Sequence, residues 1–334
     1  MPYTVNASFD IYRSTCVDLN AEHVKKARKS REYLMEQVGR ITNNDLSFPQ
    51  ISNPYLAYGS FARSTKVRPL DDIDLLFLLD GNGTKIDMRG GNRCWLAVDT
   101  DVAPMLKPYL DNYGYLNSTK VLNKLKSTLA FIPNYRKADI KRTGVAVVLS
   151  LNSYDWVFDI VPSLPVSNYT GTGTDFYIIP DGTGEWMRTD PRKDQDLIME
   201  VNRTHNGLLL PVIRLVKYWN TYHNSPPTLP SYYLETMIIT ELRYLFTPLS
   251  SIKSAIPIVF SKLHSATLTT CPDPKGLGDN LEAGISWNIR QSVSEAARNM
   301  ASYANIALDA ENRSDHKTAI GNWSKIFPNF PPYG

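Results

Sequence analysis

The hydrophobic positions follow one period in the first part of the chain and another in the second. Up to about residue 190, short apolar runs at 75–79, 144–151 and 154–161 are typical of strands in a largely buried sheet. Beyond residue 190, apolar side chains recur every three or four residues over long segments, as on one face of a helix. The pattern predicts an α+β fold in two lobes, 1–190 and 191–334.

The change of period at residue 190 coincides with a local helix signal. Asp190 is followed by Pro191, and an acidic cap before a proline at the first helical position is a favourable helix start. Four glycines indicate a loop at 80–100, and a hairpin is expected within 168–187. Helices are predicted at about 21–41, 117–132, 191–222, 231–246, 251–265, 288–310 and 314–326.

A glycine-serine turn precedes two acidic residues that open the first buried strand. Side chains alternate along a strand, so Asp72 and Asp74 share a face, where paired carboxylates suit a hard divalent cation. Gly59 allows close approach of a ligand, and Ser60 adds a hydroxyl where a helix is expected to begin, which favours phosphate. The combination indicates nucleotidyl or phosphoryl transfer. The alternative is an acidic turn whose two carboxylates are merely solvated.

The segment 59–79, with Gly59-Ser60, Arg63-Ser64-Thr65 and Asp72-Ile73-Asp74, resembles the core motif of the polymerase-beta-type nucleotidyltransferase superfamily. The longer string is similar to its cGAS/DncV-like branch, the bacterial CD-NTases. The resemblance implies a polymerase-beta-like lobe with a mixed sheet, a helical C-terminal lobe and an active site in the cleft between them. It also implies a third carboxylate on a neighbouring strand. Asp159 in Phe-Asp-Ile-Val-Pro matches that position, and Asp155 is expected to be a solvated turn residue.

The same resemblance implies a donor pocket in the second lobe. There Lys217 and Ser231 would contact the triphosphate, and Tyr232 would stack on the donor base. An ammonium group suits phosphate oxygens, and stacking on an aromatic ring contributes about 1–3 kcal/mol per base. The structural alternatives are helix capping for Ser231 and core packing for Tyr232.

Composition narrows the expected partners. The chain has 36 Lys and Arg against 33 Asp and Glu, a formal net charge of +3, which favours small nucleotides over long nucleic acid. Its three cysteines and five histidines are scattered, so neither a disulfide framework nor a zinc site is suggested. No apolar run approaches the roughly 20 residues that span a bilayer, and no signal sequence is evident. We therefore expect a cytoplasmic protein without membrane contact.

The implied reaction is synthesis of a cyclic di- or trinucleotide second messenger from ATP and other NTPs, for anti-phage defence. Two Mg²⁺ ions would be held by Asp72, Asp74 and Asp159, with Mn²⁺ able to substitute. The product would bind a separate effector, and the enzyme is expected to be a monomer. The open alternatives are a linear oligonucleotide synthase, a nucleotidyltransferase that modifies tRNA or protein, and a non-catalytic nucleotide sensor.

Overall fold

The structure, a computed structural model, describes residues 2–42, 45, 47–167, 171 and 173–334. In this part of the chain the strands precede residue 190 and a run of helices follows, as the change of hydrophobic period predicts. The elements are α1 Val5–Tyr12, α2 Ala21–Thr42, β1 Ile51–Ala57, α3 Gly59–Ala62, β2 Asp72–Leu79, β3 Thr84–Met88, β4 Arg93–Val98, α4 Ser118–Phe131, β5 Asp139–Thr143, β6 Ala146–Ser150, β7 Val157–Ser167, β8 Thr174–Pro180, β9 Trp186–Thr189, α5 Pro191–Thr204, α6 Leu209–Tyr222, α7 Ser231–Arg243, α8 Ile252–Ala266, α9 Trp287–Asn312 and α10 His316–Ile326.

The sheet is mixed, and β7 is the strand that organises it. The main path runs β1-β2-β7-β8-β9-β4-β3, and β6 also pairs with β7 while β5 pairs with β6. Strands β2 and β7 are parallel, whereas the other pairs in the sheet are antiparallel. Because β7 is 11 residues long, its first half pairs with β2 and β6, and its second half pairs with β8. The predicted mixed sheet is confirmed.

Alternation along β2 separates its two faces by chemistry. Ile73 and Leu75 lie on one face, in the main core of the sheet-bearing half, which also holds buried side chains of α2 and α4. Asp72 and Asp74 share the opposite face with Leu76 and Leu78, which belong to a smaller apolar cluster. The strand is therefore anchored by apolar residues on both faces beyond Asp74, and only its beginning presents carboxylates.

The helical half has its own core, and α1 from the beginning of the chain is part of it. Helix α1 starts at an N-cap, Thr4, whose hydroxyl accepts a hydrogen bond from the Ala7 N–H, and its buried residues join those of α5–α10. Phe9 lies at the centre of an aromatic group, with ring centroids 5.0 Å from Trp323 and 5.1 Å from Phe330. The first helix and the last segment of the chain thus stabilise the same core.

Two sequence predictions need correction, and a third is confirmed. The segment 80–100 is not a loop, because β3 and β4 form a hairpin there, with Gly90 and Gly91 at positive φ in its turn. The predicted helix 191–222 is interrupted between α5 and α6, where Asn206 and Gly207 adopt left-handed backbone angles. The predicted hairpin within 168–187 is present as β8 and β9, and residues 168–170 and 172 of that range lie outside the described residues.

The helix start predicted at residue 190 is confirmed. Asp190 caps α5 by accepting a hydrogen bond from the Arg192 N–H, and Pro191 occupies the first helical position. The division into lobes 1–190 and 191–334 stays a prediction, although the element types change at that point. Among the described helices, none is both long and apolar enough to cross a membrane.

Candidate functional site

The glycine-serine turn is held against the strand that carries the first two acids. Gly59 is the first residue of the short helix α3 and has φ +76°, a backbone angle that residues with a Cβ rarely adopt. A Cβ on Gly59 would lie 1.8 Å from Oδ2 of Asp74, so glycine leaves room for that carboxylate. The turn closes on itself, because the Thr65 N–H donates to the Ser60 carbonyl at 2.9 Å.

Three carboxylates meet where β2 and β7 lie side by side. The parallel register places Asp74 directly opposite Asp159, and Asp72 precedes Asp74 by two residues on the same face. One ligand atom from each of the three lies within 4.8 Å of the other two. Their oxygens can therefore share hard divalent cations, as the sequence analysis expects. Asp155 is 83% exposed, stands outside this group and faces His23 at 3.8 Å.

The crowding of these acids changes their protonation. Burial, together with the charges of Asp72 and Asp159, raises the pKa of Asp74 to about 7. Burial and the charge of Asp72 also raise the pKa of Asp159. The buried Oδ1 of Asp159 accepts no hydrogen bond from the described residues. A divalent cation would supply both the missing partner and the missing positive charge, so the donor set fits a metal site.

Two further residues act on the carboxylates and were not predicted. Lys66 forms ion pairs with both Asp71 and Asp72. Burial acts to lower the pKa of Lys66, but its hydrogen bonds and the charges of these two aspartates raise it overall. Tyr58, next to the turn, has a raised pKa because it is buried near the three acids. Lys66 lies within the segment 59–79, directly after Arg63-Ser64-Thr65, so its place in that segment was the available signal.

Lys217 lies in the interior, and its ammonium group pairs with Glu235, an acid for which no role was predicted. Its side chain is 4% exposed on α6 and forms an ion pair with Glu235 of α7, which is 1% exposed. Burial lowers the pKa of Lys217, and the charge of Glu235 opposes this shift. Arg63, just after α3, also contacts Glu235, with Nη2 at 3.2 Å from Oε2. The charge of Arg63 acts on both Lys217 and Asp74, so this arginine connects the two groups.

Ser231 and Tyr232 occupy the first turn of α7. Ser231 is exposed and is the first helical residue, with Pro230 at the N-cap position, so Ser231 is not the cap. The Tyr232 hydroxyl donates to Oδ1 of Asp194 at 2.7 Å and accepts from Nζ of Lys275 at 2.6 Å.

The Tyr232 ring is half-buried and has cations beside it, with Lys275 Nζ 4.3 Å and Arg63 Cζ 5.5 Å from the ring centroid. Core packing alone does not describe this environment. The proposed base contact of Tyr232 and the phosphate contacts of Lys217 and Ser231 stay predictions. Lys275 lies in the segment between α8 and α9, where the sequence shows no regular pattern that could have indicated its position.

A search of curated proteins finds relatives along the whole chain, while no protein-family model matches it. A probable cyclic nucleotide synthase of Bacillus cereus (strain VD146) is 35% identical over 336 residues, which cover 100% of this chain and 99% of that protein. A cyclic AMP-AMP-AMP synthase of an Acinetobacter species is 27% identical over 222 residues, covering 63% of this chain and 60% of that protein.

Solved structures share the fold over nearly the full length. Escherichia coli MS115-1 CdnC, in its structure with ATP, gives a TM-score of 0.71 at 18% identity and covers 97% of this chain and 98% of that one. The apo form of Vibrio cholerae DncV gives a TM-score of 0.67 at 11% identity and covers 98% of this chain and 96% of that one. These likenesses confirm the predicted architecture of a sheet-bearing half followed by a helical half.

Proposed function

Because the chain belongs to the cGAS/DncV-like nucleotidyltransferases, we propose that it joins nucleoside triphosphates through phosphodiester bonds, releases pyrophosphate and makes a cyclic oligonucleotide. The observation that carries the proposal is the meeting of Asp72, Asp74 and Asp159 on adjacent strands, with ligand atoms within 4.8 Å of one another. One buried oxygen of this group has no hydrogen-bond partner among the described residues. A cluster of this kind is costly unless it holds cations.

The three carboxylates would hold two Mg²⁺ ions, and Mn²⁺ could substitute for them. When bound, such ions neutralise charge that develops on the phosphate oxygens and lower the pKa of the attacking ribose hydroxyl. The protein contributes position and charge. Gly59 keeps the backbone clear of Asp74, and Ser60 offers its hydroxyl to the triphosphate at the beginning of α3. The in-line displacement then needs little covalent chemistry from side chains.

The donor site would include Lys217 and Ser231 at the triphosphate and Tyr232 at the base. Support comes from the convergence of α6 and α7 on the segment after α3, through Lys217, Glu235 and Arg63. The half-buried ring of Tyr232 lies beside Arg63, so base and triphosphate contacts would be contiguous.

ATP is the substrate that we propose, with other NTPs as possible second substrates and a cyclic di- or trinucleotide as the product. One relative is named for a product made of AMP alone, which supports ATP. The product would act in anti-phage defence by binding a separate effector protein. The cell compartment that suits this role is the cytoplasm.

The proposal is tested by incubating the purified protein with four NTPs, one α-³²P-labelled at a time, with Mg²⁺ or Mn²⁺. A phosphatase-resistant product identifies oligonucleotide synthesis, and mass spectrometry separates cyclic from linear products. Label that moves onto tRNA or protein in a cell lysate would instead identify a macromolecular acceptor. Tight ATP binding without release of pyrophosphate would identify a nucleotide sensor.

Two matched aspartate substitutions test the assignment of the site. We expect Asp159→Asn to lower kcat by about 10³-fold or more, because several kcal/mol of transition-state stabilisation depend on the bound cations. Asp155→Asn, four residues earlier and exposed, should leave kcat within about twofold of the parent protein. Both variants should keep the parent circular dichroism spectrum. Equal rates for Asp159→Asn and Asp155→Asn would contradict the proposed site.

A further inference from the structure

Glu235 is a charged side chain in the interior of the molecule, and its carboxylate is surrounded by donors. It sits in the apolar part of α7 with 1% of its side chain exposed. Oε1 accepts from the Lys217 ammonium, while Oε2 accepts from Arg63 Nη2 at 3.2 Å and from Thr65 Oγ1 at 3.0 Å. A buried carboxylate is tolerated when it is paired and hydrogen-bonded in this way.

The partners of Glu235 come from both halves of the chain. Arg63 and Thr65 belong to the segment that closes the glycine-serine turn, and Thr65 is itself fully buried. Lys217 comes from α6 of the helical half, where it is 4% exposed. One carboxylate thus joins the turn, α6 and α7 at a single point. A displacement of the turn relative to the helices would break at least one of these hydrogen bonds.

The formal charges at this point do not cancel. Two cations, Arg63 and Lys217, face one carboxylate, which leaves a formal charge of +1 among these three buried side chains, and the charge of Arg63 also acts on the nearby Asp194. The charge of Arg63 acts on Lys217 and on Asp74 of the metal-binding group. An anionic triphosphate between the turn and α6 would meet this surplus positive charge. Without Glu235, the two buried cations would repel each other and have no fixed partner.

We propose that Glu235 is a positioning residue that holds Lys217 and Arg63 in place. These two cations would then bind the donor triphosphate where it lies between the glycine-serine turn and the helical half. The inference rests on the proposed function, since it assigns Lys217 to that triphosphate. Glu235 touches neither substrate nor metal in this role. It acts through the two cations, and its loss should weaken nucleotide binding more than it slows the chemical step.

The test is Glu235→Gln, with Glu241→Gln as the matched control. Glu241 lies on the same helix and also pairs with a lysine, Lys262, at 3.4 Å, but this pair is on the surface. We expect Glu235→Gln to raise KM for ATP at least tenfold, with a smaller change in kcat. Glu241→Gln should change both constants less than twofold. A KM within twofold of the parent value for folded Glu235→Gln overturns the proposal.

A double-variant cycle separates positioning from a general loss of stability. If Glu235 acts through Lys217, the combination of Glu235→Gln with Lys217→Met should weaken ATP binding little more than Lys217→Met alone. Additive losses in this cycle and in the same cycle with Arg63→Met would show that the carboxylate only supports the fold, because the proposal assigns its effect to these two cations. If Glu235→Gln does not fold, Glu235→Asp keeps the charge on a shorter side chain. A KM for folded Glu235→Asp equal to the parent value would also overturn the proposal, because the geometry would not matter.

Direct binding keeps this inference distinct from the proposed reaction. The dissociation constant of adenosine 5′-(α,β-methylene)triphosphate with Mg²⁺ is measured by calorimetry on the whole protein, which needs no turnover. A parent protein that makes product, with unchanged analogue binding in Glu235→Gln, overturns the positioning role and leaves the reaction standing. Analogue binding weakened tenfold in Glu235→Gln, from a parent that makes no product, supports the positioning role and overturns the reaction.

Discussion

Aspartates close together at one end of the sheet differ in what surrounds them. Asp74 and Asp159 are directly opposite each other on parallel strands and are half-buried, and the charge of Asp159 helps to raise the pKa of Asp74. Asp155 precedes the same strand but is 83% exposed beside His23. Residue type alone therefore does not decide the chemistry. Burial and a neighbouring like charge turn an ordinary carboxylate into one that needs a cation.

The raised pKa of Asp74 predicts an unusual pH dependence for the metal-free protein. Its carboxyl titrates near 7 in the folded state and near 3.8 when unperturbed, so the folded state holds a proton that the unfolded state releases. Stability conferred by this group is complete below pH 4 and is lost as the pH rises through 7. In EDTA, we expect the melting temperature to fall more steeply between pH 5 and 8 for the parent than for Asp74→Asn.

Mg²⁺ should reverse this trend, since a bound cation replaces the proton. The rise in melting temperature on adding Mg²⁺ should therefore be larger at pH 8 than at pH 6, and absent in Asp74→Asn. Parallel pH curves for the two proteins in EDTA would contradict the assignment of this carboxyl.

At the level of elements, the glycine-serine turn at the start of α3 needs a glycine for two reasons that can be measured separately. Ala at position 59 would be strained at φ +76° and would also displace the Asp74 carboxylate. Gly90, in the β3–β4 turn at φ +79°, has open space where a Cβ would be added. We expect Gly90→Ala to cost about 1–2 kcal/mol of unfolding free energy from backbone strain alone, and Gly59→Ala to cost more, because the Asp74 side chain must also move. Only Gly59→Ala should also lower kcat, by about 10²-fold, because it misplaces a metal ligand.

Urea unfolding and steady-state kinetics on both variants check this prediction. A Gly59→Ala protein as active as Gly90→Ala would mean that the contact with Asp74 has no catalytic consequence.

Elements with a local signal could be predicted from the sequence, and those that depend on distant pairing could not. The strand after Asp72 has a continuous apolar run, and α5 has an aspartate and a proline at its start. Strand β5 is polar and mostly exposed, so its sequence has no hydrophobic period. Its pairing with β6 could therefore not be predicted. The same reasoning covers the site. Asp72, Asp74 and Asp159 could be identified because they interrupt apolar strand patterns. The role of Glu235 depends on its contact with Arg63, which is 172 residues away along the chain, so no local pattern indicates it.

At the level of the whole molecule, α1 is a structural part of the helical half. Phe9 is 5% exposed among Trp323, Phe327 and Phe330, so its removal leaves a cavity in that core. We expect Phe9→Ala to cost about 3–5 kcal/mol of unfolding free energy. Ile11→Ala, on the same helix at 41% exposure, should cost less than about 0.5 kcal/mol. Denaturant unfolding of the two variants measures the difference, and similar midpoints would show that α1 is dispensable for this core.

The contact between α1 and the aromatic residues Trp323, Phe327 and Phe330 also has a consequence for folding during synthesis. Phe9 and Trp323 lie far apart along the chain, so they are synthesised at different times, yet their rings pack against each other. During synthesis, Phe9 lacks this aromatic partner until α10 has been made, although Tyr12 of α1 can pack earlier against Tyr218 of α6. The helical core, and with it the support of α6 and α7, can be completed only then. A chain that lacks α10 therefore has an incomplete core around α6 and α7, the helices that carry the proposed donor residues.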